Sequence, residues 1–413
     1  MCCVSRGSTN SYWRAANDPA MRIGLSTSVI QGGKSGVGTY VLALVRALLP
    51  AAHRHEFSLF VLENDLPLFD FAREAMRIVP VAERHRPPTK NIWWHHHALP
   101  GIARQFGLDV LHVPSYRRLL WRRPCALVGT IHDLAPFRVP GKYDWLRMLY
   151  GRVAVRHLAW RQDEIVAVSQ ATAMDVTRFF GVPPHRITVI HNGLDHARFT
   201  PEGAAEARTE IARKHDVRPP FFLYVARLEH PAKNHARLIQ AFNTFKAEHP
   251  SPWQLILAGS DWHGAEAIHE QVRRSPFAAD IRCTGFVPQE ELPKWYRAAS
   301  ACVYPSLFEG FGLPPLEAMA CGCPVLSSAI PAIEEVCGDA ALLADPTNVV
   351  DLQRQLVRLA HDDILRTRLR AAGLARARQF DWRFTAARML EVYARAAGKF
   401  RAPVLAPAPH LAH

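Results

Sequence analysis

The chain is 413 residues long, too long for one ordinary hydrophobic core and suited to two. Hydrophobic residues make up 49%, which excludes wholesale disorder, and no apolar run approaches the roughly 20 residues of a membrane-crossing helix. The net charge of +13 asks for a polyanionic partner: nucleic acid, an anionic membrane surface or a phosphorylated substrate. The sequence carries no helix-turn-helix, RRM or zinc-finger signature, so no nucleic-acid partner is expected. Eight cysteines without a disulfide framework favour a reducing cytoplasm, and no Cys/His spacing fits a metal site.

Residues 1–20 are polar and lack the apolar centre of a signal peptide, which predicts a disordered extension with Met21 as a possible start. Arg22-Ile23-Gly24-Leu25-Ser26 predicts a strand and 40–49 a helix. Between them Gly33-Lys34-Ser35 invites a P-loop, but that motif needs glycine where Ser28 stands. A dinucleotide fingerprint built on Gly36 and Gly38 fails at Val41. What remains is a glycine-rich turn of the kind that lets backbone approach a ligand.

Strand signals at 57–62, 78–81 and 109–112 alternate with helical ones, which predicts an α/β fold with a parallel sheet. His95-His96-His97 looks like a metal tract, yet neighbours on a helix point different ways, and an amphipathic helix flank is the better reading. Residues 116–123 interleave Arg117, Arg118, Arg122 and Arg123 with Tyr116 and Trp121. This is either a solvated loop or a surface for anionic lipid headgroups. The apolar run 126–131 delivers His132 and Asp133 at its carboxyl end, where open α/β sheets bind ligands. A strand at 164–168 leads to Ser169 as a helix N-cap, with Gly181 and Pro183 stopping that helix near Phe180.

Composition shifts between 195 and 220, which places a linker at 196–220 between domains 21–195 and 221–383. The second series opens on the unbroken apolar run 221–226, followed by Arg227 and then Lys233, two cations placed to neutralise a diphosphate in the cleft between the domains. Asn234 begins the next helix. Strands at 254–258 and 281–287 precede 301–304, and 384–398 predicts a terminal helix before a loose tail at 399–413.

After 301–304 comes Ser306-Leu307-Phe308-Glu309-Gly310-Phe311-Gly312-Leu313-Pro314-Pro315-Leu316-Glu317, with two acids eight positions apart. Pro314 suits the start of a helix over 316–321 and Gly322 its end, so the amides of Gly310, Phe311 and Gly312 face outward near a helix N-terminus, where anions bind. The run resembles the Glu-x7-Glu motif of retaining family-four glycosyltransferases. That resemblance implies the GT-B fold, two doubly wound Rossmann-like domains facing across a cleft, with the terminal helix crossing back to the first.

The resemblance also implies roles: Glu309 on the donor sugar, Glu317 on the nucleotide ribose, and Arg227 and Lys233 with the 310–312 amides on the diphosphate. Val287 would meet the base through its backbone. Gly36 and Gly38 would border the cleft, and His132 would bond a sugar hydroxyl. His132-Asp133-Leu134-Ala135-Pro136 is similar to a mannosyltransferase-rich branch that builds O-antigen and other polysaccharides. The expectation is therefore metal-independent transfer of a hexose without a cofactor, GDP-mannose being the favoured donor. The acceptor would be lipid-linked or an oligosaccharide, met at the cytoplasmic face of the membrane by a peripheral enzyme. A UDP-glucose-type enzyme, a non-catalytic sugar-nucleotide-binding protein and a sugar-nucleotide 2-epimerase are the alternatives. A glycosidase, which also uses paired carboxylates, has no need of phosphate-directed cations.

Overall fold

The computed structural model describes residues 19–33, 35–138 and 151–401, excepting the side chains of Gln31 and Arg152. The expectations for residues 1–18 and 402–413, and for Lys34, fall outside the described residues. Two parallel sheets account for the strands. The first comprises β1 Arg22–Ser26, β2 Glu56–Leu62, β3 Arg77–Val81, β4 Val110–Val113, β5 Ala126–Ile131, β6 Glu164–Ala167 and β7 Ile187–Val189. Its order is 3-2-1-4-5-6-7. The second comprises β8 Phe221–Val225, β9 Gln254–Ala258, β10 Ile281–Gly285, β11 Ala301–Tyr304, β12 Val325–Ser328 and β13 Leu342–Ala344, in the order 10-9-8-11-12-13. β4, β5 and β11 are buried along their whole length, which is why they are mostly apolar, with His112 the buried polar exception in β4. Each sheet changes winding direction beside its first strand, between β1 and β4 and between β8 and β11. A doubly wound sheet takes its ligand at the carboxyl ends flanking that point.

The helix Gly36–Leu48 covers the first sheet together with the last helix, Trp382–Arg401. Tyr40, Val41, Leu44 and Val45 share a core with Met389, Val392 and Tyr393. The Tyr393 hydroxyl lies 2.8 Å from His112 Nδ1, and Lys399 Nζ is 2.7 Å from Glu164 Oε1, so the end of the chain is fastened to the first domain. Both crossings between domains run side by side: a Cβ at Gly193 would stand 2.1 Å from the Trp382 nitrogen, and Leu194 bridges to Asp381. Residues expected as linker contain the helix Ala204–His215, and Phe199, Ile211 and Val217 belong to the core of the second domain.

Some boundaries differ from expectation for local reasons. The first helix starts at Gly36 because the Ser35 hydroxyl accepts the Gly38 N–H at 3.1 Å. Ser169 caps the helix Gln170–Asp175, which then widens into a π turn over Val176–Phe180 before Gly181 ends it at φ 70°. In the basic-aromatic stretch, Leu119 and Leu120 are buried, Arg118 Nε donates to Asn91 Oδ1 at 2.6 Å, and Arg123 pairs with Asp163. Arg118 is thus committed inward, and Arg123, itself exposed, is held by an ion pair. Trp121 is exposed and stacks on His157 at 4.8 Å. The histidine tract divides as helix geometry demands. His95 is buried between Ser26 Oγ (2.9 Å) and the Asn91 carbonyl (2.7 Å), while His97 stacks on Trp93.

Candidate active site

The site starts where β8 ends. Arg227 lays its guanidinium over the exposed Trp262 indole, 4.6 Å from the ring centre, with Glu229 Oε2 at 3.5 Å. The turn that follows is held from three sides. The Tyr224 hydroxyl donates to the Lys233 carbonyl at 2.6 Å. Asn234, left-handed at φ 59°, donates through Nδ2 to the carbonyls of Pro305 (2.9 Å) and Pro346 (2.7 Å). This buried amide ties the turn after β8 to those after β11 and β13, and so fixes where Lys233 starts.

Lys233 Nζ reaches Glu309 Oε1 at 2.6 Å, and the Tyr304 hydroxyl donates to the same oxygen at 2.8 Å. The lysine and glutamate side chains are 17% and 15% exposed, so the pair is largely desolvated yet has one open edge. Burial alone would raise the Glu309 carboxyl, but the Lys233 ammonium, with the Ser306 and Tyr304 hydroxyls, holds it below the usual range. The sequence reading set Lys233 beside Arg227 and gave Glu309 a separate place. In the structure the lysine is bonded to the acid, so the group expected on the sugar and the one expected on the phosphate meet at one spot.

The following loop is pressed against the first domain. A Cβ at Gly310 would lie 1.8 Å from the His132 carbonyl oxygen, and the Gly310 carbonyl accepts from Ser169 Oγ (2.6 Å) and Thr172 Oγ1 (3.2 Å). The Phe311 ring is buried, 5.9 Å from both His191 and Phe380, so only its backbone is available to a ligand. Gly312 has φ 103°, and a Cβ there would strike Ile333 Cδ1 at 2.5 Å. The helix begins at Leu313, three residues before the expected 316, with Gly312 as its N-cap. The N–H groups of 310–312 find no acceptor among the described residues, which leaves them for an anion.

Glu317 lies partly buried on that helix and accepts from the Tyr296 hydroxyl at 3.1 Å. Burial pushes its carboxyl up to about 7, against the pull of Tyr296 and of Arg198. Val287 is a core residue, so a base could meet only its backbone, and exposed Phe286 precedes it. Gln289 Nε2 crosses to Thr39 Oγ1 at 3.1 Å and sets this segment against the first helix. Gly36 there has open space where a side chain would be. Gly38 is instead packed, its would-be Cβ 3.0 Å from the Ile30 carbonyl oxygen, so it serves close backbone packing more than ligand approach.

His132 comes from the opposite domain. Its Nε2 is buried without a partner, and Tyr40 meets its ring edge-on at 4.6 Å. Burial lowers its pKa to about 4 despite Asp133, so at neutral pH it is an uncharged hydrogen-bonding group. Below it Glu335 spans the domains. Its carboxylate accepts the Gln170 N–H at 2.8 Å and lies 2.6 Å from His191 Nε2. Sequence reasoning missed Tyr224, Tyr296, Tyr304, Asn234 and Glu335 as parts of this arrangement. The available signal was tyrosine in an apolar strand or helix, since a buried phenol must find a partner. Among the described residues no cluster of three His, Cys, Asp or Glu side chains is arranged to hold a metal ion, and no helix is long and apolar enough to cross a membrane.

The chain is similar to known proteins over most of its described length. The model described as glycosyl transferases group 1 matches residues 207–376, and that described as Glycosyltransferase Family 4 matches 34–198. An O-antigen chain mannosyltransferase B of Escherichia coli is 29% identical over 391 residues, covering 90% of this chain and 99% of the relative. Among solved structures, Anabaena HepE in complex with UDP and glucose superposes with TM-score 0.71 at 20% identity, covering 90% of this chain and 99% of that one. Sucrose-phosphate synthase from Thermosynechococcus elongatus gives 0.73 at 21% identity, covering 92% and 100%.

Proposed function

We propose that this chain, a nucleotide-sugar-dependent glycosyltransferase of the GT-B fold related to the group 1 and family 4 enzymes, moves a hexose with retention at the anomeric carbon onto a lipid-linked or oligosaccharide acceptor in polysaccharide assembly. The observation that carries the proposal is the Lys233–Glu309 pair under the free 310–312 amides, with the unpaired Nε2 of His132 arriving from the other domain. As the bond between the anomeric carbon and the diphosphate oxygen breaks, negative charge gathers on the leaving group. Arg227, Lys233 and the amides are its stabilisers. Glu309 and His132 hold sugar hydroxyls, Glu317 holds the ribose, and the backbone at Val287 meets the base, with Gly36 at the near rim. The acceptor is met at the inner membrane face.

For the donor, UDP-glucose-type sugars come first, supported by the fold neighbour HepE, solved with UDP and glucose and with UDP-glucose. GDP-mannose is the second reading, supported by the full-length mannosyltransferase relative and by His132-Asp133-Leu134-Ala135-Pro136. The test is a screen of GDP- and UDP-sugars on purified protein, scoring nucleoside diphosphate release with and without membrane lipid extract and with EDTA. Release that needs acceptor and survives EDTA is expected. A product formed without acceptor would mark an epimerase, and no release from any donor by folded protein would overturn the enzyme reading of this site.

A further inference from the structure

We propose that the second domain carries another anion site, for a phosphate ester, on the edge of its sheet opposite the cleft. Lys233 and Glu309 stand beyond the carboxyl ends of β8 and β11. A separate cavity of about 420 Å³ opens at the amino ends of β8, β11 and β12, beside Pro220, Ser300 and Pro324. That volume suits a small organic ligand.

Four arginines line it, Arg208, Arg297, Arg366 and Arg370, and no lining residue is acidic. Arg366 is neutralised by Asp363. Arg297 donates to the carbonyls of Pro293 and Glu202, contacts that orient a guanidinium without cancelling its charge, and its charge is met only by the solvent-exposed Glu202 carboxylate. Arg208 and Arg370 have no hydrogen-bond or ion-pair partner among the described residues. Arg370 is drawn in against the chain because Gly322 leaves room: a Cβ there would be 3.2 Å from Arg370 Nε. Ser300 adds a hydroxyl with no partner among the described residues. Two guanidinium groups without an ionic partner, with Arg297 beside them facing only the exposed Glu202 carboxylate, match the planar, multidentate recognition of phosphate oxygens.

The floor is apolar. Trp253 is buried and stacks on Phe222 at 4.3 Å, and prolines complete the wall. The site therefore fits a phosphoryl group attached to a compact organic body better than inorganic phosphate alone. The same chemistry is offered by a soluble phosphate ester and by an anionic lipid headgroup.

Calorimetry with phenyl phosphate, on the native chain and on variants of pocket and cleft, tests the site. Arg208→Gln/Arg370→Gln is expected to weaken binding at least about tenfold, as two charge-assisted contacts are lost. Arg227→Gln/Lys233→Gln should leave it unchanged. Since Arg370 packs on Gly322, Arg208→Gln, at an exposed position, is measured alone as well, with melting curves for all variants; it is expected to weaken binding by itself. No binding by the native chain, equal binding by the pocket variants, or loss in the cleft variant would overturn the proposal, whatever the fate of the transferase reading. Flotation on phosphatidylglycerol against phosphatidylcholine vesicles assigns the source. A drop confined to the pocket variant identifies a lipid headgroup, and no drop identifies a soluble ester.

Discussion

Glu317→Gln offers the sharpest quantitative check, because it removes a titration and keeps the shape. In the native chain burial holds the Glu317 carboxyl near 7 rather than the ordinary 4.5. Between these values the folded state keeps a proton that the unfolded chain has released, so this group lowers stability as pH rises through that window. Fully ionised above pH 7, it costs the folded state at most about 3 kcal/mol relative to acid conditions. Glutamine has no such cost and still accepts from the Tyr296 hydroxyl. Urea unfolding of both proteins from pH 4 to 8 isolates the effect, since all other titrating groups cancel in the difference. The variant should gain on the native chain by about 2 to 3 kcal/mol between pH 4 and pH 8. Nucleotide binding should move oppositely. If ribose hydroxyls donate to the carboxylate, native affinity falls up to about tenfold for each pH unit below 7, and the glutamine variant binds weakly without that dependence. A stability difference that stays flat with pH would falsify the assignment of a raised carboxyl at 317.

Glu309 and Lys233 should behave otherwise. Glu309→Gln is expected to lower kcat with little change in donor KM, and Lys233→Met to lower kcat about 100- to 1000-fold through lost leaving-group stabilisation. Steady-state kinetics of both and of the double variant check this, and additive losses would contradict a coupled pair. Gly310→Ala places a methyl where the His132 carbonyl oxygen stands, 1.8 Å away, and backbone cannot yield as a side chain does. Displacing the loop by about 1 Å should cost about 100-fold in turnover. The unfolding midpoint should fall less than for a core truncation, since of the core only Phe311 moves with the loop; an active Gly310→Ala enzyme would refute the close approach.

What could be read in advance, and what could not, follows from how far each interaction reaches along the chain. The parallel sheets were legible because buried strands are short, apolar and bounded by turns, as 126–131 and 221–226 illustrate. Arg227, Lys233, Glu309 and Glu317 were legible as chemistry, being charged groups at the ends of such runs. Their pairing was not. Lys233 and Glu309 are 76 positions apart, and only the Asn234 clasp and the Tyr224 hydroxyl bring them to 2.6 Å. Gly312 was read as an outward-facing amide, yet its left-handed backbone and the Ile333 methyl beneath it are what exclude a side chain. Likewise the segment 196–220 looked polar by composition, but three of its residues, Phe199, Ile211 and Val217, suffice to dock it on the second core. A few apolar residues at the right spacing outweigh the average of their neighbours.

Besides apolar contacts such as Phe311 with His191, polar bonds join the domains across the cleft. Each core is sealed by apolar packing. The polar bonds run from Ser169 to Gly310, Gln289 to Thr39, and Gln170 and His191 to Glu335. Water can replace polar bonds of this sort at small net cost, each being worth about 1 kcal/mol. The two chain crossings, packed together at Gly193 and Trp382, form one narrow connection that relative movement of the domains need not break. The acid–lysine pair and its clasp lie wholly within the second domain and keep their geometry in any arrangement. His132 does not: its place over Gly310 exists only while the domains touch. On the proposed roles, a site divided in this way has Lys233 and Glu309 set in advance, and His132 joins them only when the cleft is closed.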